Sequence, residues 1–317
     1  MNWKNARGLA TPALTSFGVA VAVFALPGCG GEDKMTAEAP CAVQILETAP
    51  APGPALWKVS DDDTTVYLFG TFHALKPEVS WFEGPVRAAY EAADEVALEA
   101  TDTQDQQRME ALVLKYGVDP QRRKLSEVIG EENAAALSER LASLNLSLGQ
   151  VERMEPWLAV TSLAQQQMQA AGFNASYGVD AKLQNSASEA GKTLTGIEGA
   201  EAQLALLDSF SEENQILWLE LTLRDWDKAG ETLNNMLALW SSGDMAGFAT
   251  EMFESIDEVP TLTEALLTDR NEGFADWIIE RMAQPGTVFF AVGAGHLAGV
   301  GSVQDFLCER GLYAQRQ

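Results

Sequence analysis

The chain has 317 residues and a formal net charge of −25, set by 46 acidic against 21 basic side chains. Such an excess argues against nucleic acid or an anionic bilayer surface as a partner, because both would be repelled. Hydrophobic residues make up 46% of the chain, enough to supply the core of one large domain or of two ordinary ones.

Lys4 and Arg7 open a segment whose apolar stretch covers residues 19–26 and closes at Pro27-Gly28-Cys29. Residues 1–28 read as a bacterial secretory signal, too short to span a membrane. The L-x-G-C ending resembles a lipobox, with Cys29 as the acylated first residue of the mature chain, although Pro27 replaces the usual small residue. The other reading is a soluble exported protein cleaved nearby. The expected location is the periplasm, tied to a lipid bilayer through Cys29. Residues 29–54, rich in Gly, Ala, Pro and Glu and without periodicity, read as a tether. In an oxidising compartment Cys41 and Cys308 are the remaining pair and can form a disulfide.

Residues 55–59 and 65–69 flank S-D-D-D-T and read as a hairpin with an acidic turn. The second of these strands, Val66-Tyr67-Leu68-Phe69, is too apolar to have a wet face and belongs inside a sheet. Gly70 closes it, and His73 follows three residues on. The pattern returns at residues 287–292, closed by Gly293 and followed at the same interval by His296. These are the only two histidines in the chain. Glycine lets other groups approach its backbone closely, and ligands of open α/β sheets gather at strand ends. The two histidines therefore read as one site.

Between them, residues 82–94 form an expected helix with Val86, Ala89 and Tyr90 on one face. Residues 95–100 form a short apolar strand ending in Glu99, the third candidate. From residue 103 to 283 the pattern is helical, with expected helices at 106–115, 131–143, 157–171, 179–190, 200–207, 212–229, 231–241, 244–256 and 262–282. A strand at 192–197 interrupts them and leads into Glu198. Asp180 lies in a first helical turn, where a negative charge is favourable whether or not it serves the site. Arg270, in the last long helix, can orient an anionic group. Trp218, Trp226, Trp240 and Trp277 suit core packing better than groove lining. Residues 301–310 and 312–314 read as a closing helix and strand.

Two histidines and a carboxylate can form an open metal site that leaves positions for water and substrate. A second carboxylate, Glu198 or Asp180, could serve as base or as a supporting partner. The same residues allow a metal-free version, in which one histidine activates water and Glu99 orients it. No H-E-x-x-H, G-x-S-x-G or phosphate-binding glycine loop is present.

The segments Y-L-F-G-T-F-H-A-L-K-P-E, E-V-A-L-E, G-V-D-A-K-L, T-G-I-E-G-A-E-A-Q-L-A-L-L and V-G-A-G-H-L-A-G-V, in this order, resemble the TraB/PrgY/GumN family. That family is related to the Tiki metalloproteases and more distantly to erythromycin esterases. The resemblance covers roughly residues 55–313. It implies an α/β fold: a central mixed sheet flanked by helices, with a large helical insertion, about 103–283, between the two halves of the sheet. It carries His73, Glu99 and His296 over as core site and metal ligands, with Arg270 and Asp180 as additions. It further implies hydrolysis of a peptide or other amide or ester, with manganese or cobalt as the cofactor and zinc as an alternative. Two other readings stay open: a pheromone-shutdown-like protein that sequesters a peptide or metal without turnover, and a haem-binding lipoprotein.

Overall fold

The computed structural model describes residues 52–256 and 260–317. The expected signal at 1–28, the expected acylation site Cys29, Cys41 and all but the last residues of the expected tether lie outside these. Cys308 is disulfide-bonded; its expected partner is among the residues not described.

Six strands form one sheet: β1 (Leu56–Ser60), β2 (Thr64–Thr71), β3 (Glu95–Leu98), β4 (Thr193–Gly196), β5 (Gly286–Gly293) and β6 (Gln315–Arg316). Their order is β4-β3-β5-β2-β1-β6. The first four in that order run parallel, while β1 lies antiparallel to both β2 and β6. The mixed α/β architecture is thus the expected one, with the acidic hairpin β1–β2 on one side. The closing strand sits slightly later than expected, at Gln315–Arg316, and gives β1 a second neighbour.

Residues alternate between two faces, as the two-residue period of a strand requires. Val66, Leu68, Val288 and Phe290 pack on Phe274, Ile278 and Leu307 from the helices Asp269–Met282 and Val303–Glu309. On the other face Phe69, Val96 and Phe289 meet Tyr90, Leu183, Trp240 and Phe248, each from a different helix. Both faces are therefore dry, which is why β2, β3 and β5 read as continuous apolar runs. The remaining helices bury a separate core around Trp157, Leu158, Leu204 and Leu219.

Two expected helices are broken. The stretch 212–229 stops at Arg224, because Asp225 turns into the interior and pairs with Arg224 Nε at 2.7 Å and Lys228 Nζ at 3.2 Å. A new helix, Ala229–Ser242, starts at once. The stretch 262–282 consists of Pro260–Thr263, a wide π-helical turn at Glu264–Thr268, and Asp269–Met282. Such turns cost regular hydrogen bonding and recur at functional sites. Among the described residues no helix is long and apolar enough to cross a membrane.

Candidate functional site

The parallel register decides where the site forms. In the β2–β5 ladder Gly70 pairs with Val292 and Thr71 with Gly293, so the chain leaves both strands at the same level. On the other side of β5, Leu98 pairs with Ala291, which puts Glu99 one step beyond, beside Gly293. Next along, Leu98 pairs with Gly196 of β4, just before Glu198. Four neighbouring carboxyl ends thus deliver His73, His296, Glu99 and Glu198 to one rim, the usual ligand position of an open parallel sheet.

Gly293 is the floor. A Cβ built there would lie 3.2 Å from Glu99 Oε1, 3.3 Å from His73 Nε2 and 3.6 Å from His296 Cδ2. All three side chains therefore converge on one point that any residue but glycine would fill. Gly70 plays a related part, since a Cβ there would meet the Ala294 Cα at 3.0 Å. Its carbonyl accepts a hydrogen bond from the buried Trp240 Nε1 at 2.8 Å.

Each histidine is oriented through Nδ1. His73 Nδ1 lies 2.8 Å from Asp180 Oδ2, a carboxylate and hence an acceptor, so Nδ1 carries the proton and Nε2 faces the floor. Asp180 sits in the first turn of the helix Val179–Ala190. Its cap-like position and its contact with His73 coincide. The close approach is possible because Gly178 packs directly on the His73 carbonyl and the Val179 amide donates to Phe72 O at 3.0 Å. His296 Nδ1 lies 2.6 Å from Asn271 Oδ1, while Asn271 Nδ2 donates to Gly301 O. Nδ1 is again the donor, and His296 Nε2 accepts from Arg270 Nη1 at 3.1 Å.

Arg270 ties the carboxylates together. It donates from Nη2 to Glu99 Oε2 at 2.8 Å and to Glu198 Oε2 at 2.7 Å, and from Nε to Glu198 Oε1 at 2.8 Å. Its Nη1 also reaches the Leu266 carbonyl in the π-helical turn. Gln203 Nε2 bridges the same two carboxylates, and the Gly293 amide donates to Glu99 Oε1.

Environment separates the two imidazoles. Burial disfavours a charge on His73, but the adjacent Asp180 carboxylate, helped by Glu99, outweighs it and raises the pKa to about 9. Burial and the Arg270 charge together push His296 down to about 3, so that ring stays neutral. Burial opposes ionisation of Glu99, yet Arg270 and the two histidines hold its carboxyl well below the usual range. Glu99 and Glu198 in turn hold Arg270 protonated against burial.

All five expected residues, His73, Glu99, His296, Arg270 and Asp180, are brought together. The metal expectation fares differently. Among the described residues no three His, Cys, Asp or Glu side chains are arranged to hold an ion. His296 Nε2 and both Glu99 oxygens already accept hydrogen bonds, and the Arg270 guanidinium stands where a second cation would be repelled. His73 Nε2 is the one donor atom of the three residues left open to the floor. The donor set as arranged does not fit a divalent cation.

Sequence reasoning missed Gln203, which joins the nearby Glu198 to Glu99, remote in sequence. It also missed Thr71, although the residue belongs to the G-T-F-H segment. Thr71 borders the cavity above the floor, and its buried hydroxyl finds no hydrogen-bond partner among the described residues. That cavity has a volume of about 100 Å³, and its wall is largely Met and Leu.

The sequence profile of the TraB/PrgY/gumN family matches residues 55–316. The chain belongs to the TraB/PrgY/gumN family. It is 28% identical over 183 residues to "Uncharacterized protein YbaP" of Escherichia coli (strain K12), covering 58% of this chain and 67% of that protein. The protein of the same name from Shigella flexneri matches to the same extent. No solved structure gives a significant match.

Proposed function

We propose that this family member hydrolyses an amide or ester bond, with His73 as the general base. The observation that carries the reading is the Asp180–His73 pair. One carboxylate fixes the tautomer that turns Nε2 toward the floor shared with Glu99 and His296. In the forward step Nε2 takes a proton from water while the water oxygen bonds to the substrate carbonyl carbon. Asp180 stays ionised and stabilises the imidazolium. That proton then passes to the leaving amine or alkoxide as the tetrahedral intermediate collapses. The Arg270 charge, held beside the floor by Glu99 and Glu198, favours the anionic intermediate. Neutral His296 serves as a fixed wall and an acceptor for Arg270 rather than as an acid.

The high pKa of His73 also supports a second reading. At neutral pH the ring is mostly imidazolium, which suits capture of an anionic peptide or carboxylate group without turnover. Haem has no comparable support, because the cavity of about 100 Å³ is well below the roughly 300–1,000 Å³ of sites that take larger ligands. Periplasmic export and anchoring through Cys29 are proposed on the N-terminal sequence alone.

Turnover separates the two readings. Purified protein incubated at pH 9 with a library of peptides and simple esters should yield products by mass spectrometry, and His73→Ala should abolish them. Binding of peptides at every pH with no product would leave the sequestering reading in place.

A further inference from the structure

The cavity above the floor is chemically lopsided. At its base stand His73, Glu99, Arg270 and Thr71; much of its wall is made by Met168, Leu233, Met236, Phe248, Met252 and Leu267. Three of these are methionines, whose flexible thioethers fit aliphatic surfaces of varied shape. The charged Arg270 and Glu99 that reach the cavity pair with each other at its base, and the Met–Leu wall itself offers no charge to recognise an acidic or basic side chain. The volume of about 100 Å³ is below the ~150 Å³ of an engineered apolar cavity that accepts benzene. It suits a short aliphatic chain rather than an aromatic ring or a long acyl tail.

Thr71 provides the second, independent observation. It is directly opposite Gly293 in the β2–β5 ladder, only 2% exposed, and its Oγ1 has no partner among the described residues. A buried hydroxyl left without a partner costs free energy unless a ligand satisfies it. Its neighbours at the floor are already committed: Glu99 to Gly293 and Arg270, and His296 to Asn271 and Arg270. The groups left without a partner at this point are thus the buried Thr71 hydroxyl and the His73 Nε2 nitrogen, beside an apolar cup.

We propose that the substrate is an amide or ester with a compact aliphatic acyl group, seated in the Met–Leu cup with its carbonyl oxygen on the Thr71 hydroxyl. This rests on the hydrolase reading for the reaction, but the seat itself can be tested without turnover. The full chain labelled with 13C at the methionine methyls is titrated with isovaleramide, acetamide and succinamate. Isovaleramide should shift the Met168, Met236 and Met252 signals and saturate, acetamide should need about tenfold more or worse, and succinamate should leave them unmoved. Met236→Phe, or Leu233→Trp where the first substitution is absorbed, should fill the cup and reverse the preference toward acetamide.

In turnover, kcat/KM should rise about tenfold per added carbon from acetyl to isovaleryl esters, then fall for decanoyl. Thr71→Val should lower kcat about 100-fold while the isovaleramide shifts persist. Methyl signals unmoved by isovaleramide, an equal response to succinamate, or turnover indifferent to chain length would overturn the proposal. An unchanged kcat in Thr71→Val would overturn the carbonyl contact. Saturable isovaleramide binding with no ester or amide turned over would uphold the seat and refute the hydrolase reading.

Discussion

Asp180→Asn isolates the pair at the centre of the site. Asparagine keeps an oxygen to accept the His73 Nδ1 proton, so ring orientation is preserved while the charge is lost. Raising an imidazole from 6.5 to about 9 is a preference of about 3 kcal/mol for the charged ring, at about 1.4 kcal/mol per pH unit. A quarter of the His73 side-chain surface is exposed, so solvent screens part of that, and the substitution should lower the pKa by about 2 pH units. The readout is imidazole NMR against pH, which is simple here because the chain holds only two histidines. In the parent His73 should titrate near 9 and His296 stay neutral down to about 3. The same pKa has a thermodynamic face. The folded state binds the His73 proton more tightly than the unfolded chain, so this stabilisation is complete below about 6.5 and is lost as pH rises toward 9. Asp180→Asn should flatten that decline in urea melts. A His73 titration within half a pH unit of the parent in the variant would refute Asp180 as the cause.

Three other outcomes follow from the same geometry. Gly293→Ala places a methyl 3.2 Å from Glu99 Oε1 and 3.3 Å from His73 Nε2 at a backbone conformation alanine accepts (φ −48°, ψ 138°). Stability should stay within about 1 kcal/mol while turnover falls at least 100-fold, and unchanged kinetics would show that the floor is not where substrate reacts. Arg270→Ala strands Glu99 and Glu198 without their shared cation and should cost about 3–5 kcal/mol, read as a lower urea midpoint; no loss would mean that water replaces the guanidinium. Because every donor atom of the floor except His73 Nε2 is already hydrogen-bonded, activity should persist within about twofold after exhaustive chelation. Activity that vanishes with chelator and returns with manganese would restore the metal expectation.

Much of the site was legible because its logic is local. A strand too apolar for water, a glycine closing it and a histidine at a fixed interval are visible in residues 66–73 and 288–296 without any coordinates. What stayed hidden depends on which strands are neighbours. Glu198 could be placed at the end of its strand, but its pairing with Arg270 appears only once β4, β3 and β5 lie side by side. Gln203 looks like an ordinary helical residue until Glu99 is found beside it. Thr71 is concealed differently, since threonine is at home in any strand and its missing partner is a property of the packed state. The break at Asp225 also escaped, as residues 212–229 hold no proline or glycine and the pairs that Asp225 makes appear only in the packed state.

The position of β5 has a consequence for how the chain matures. It is the plank inserted between β3 and β2, yet it is made long after both. Until residues 286–293 arrive, the edges of β2 and β3 that will face one another across it have nothing to pair with. A chain interrupted before that point lacks not one histidine but the middle of its sheet. Assembly of the sheet therefore waits for β5, and long-range parallel pairing of this kind is slow.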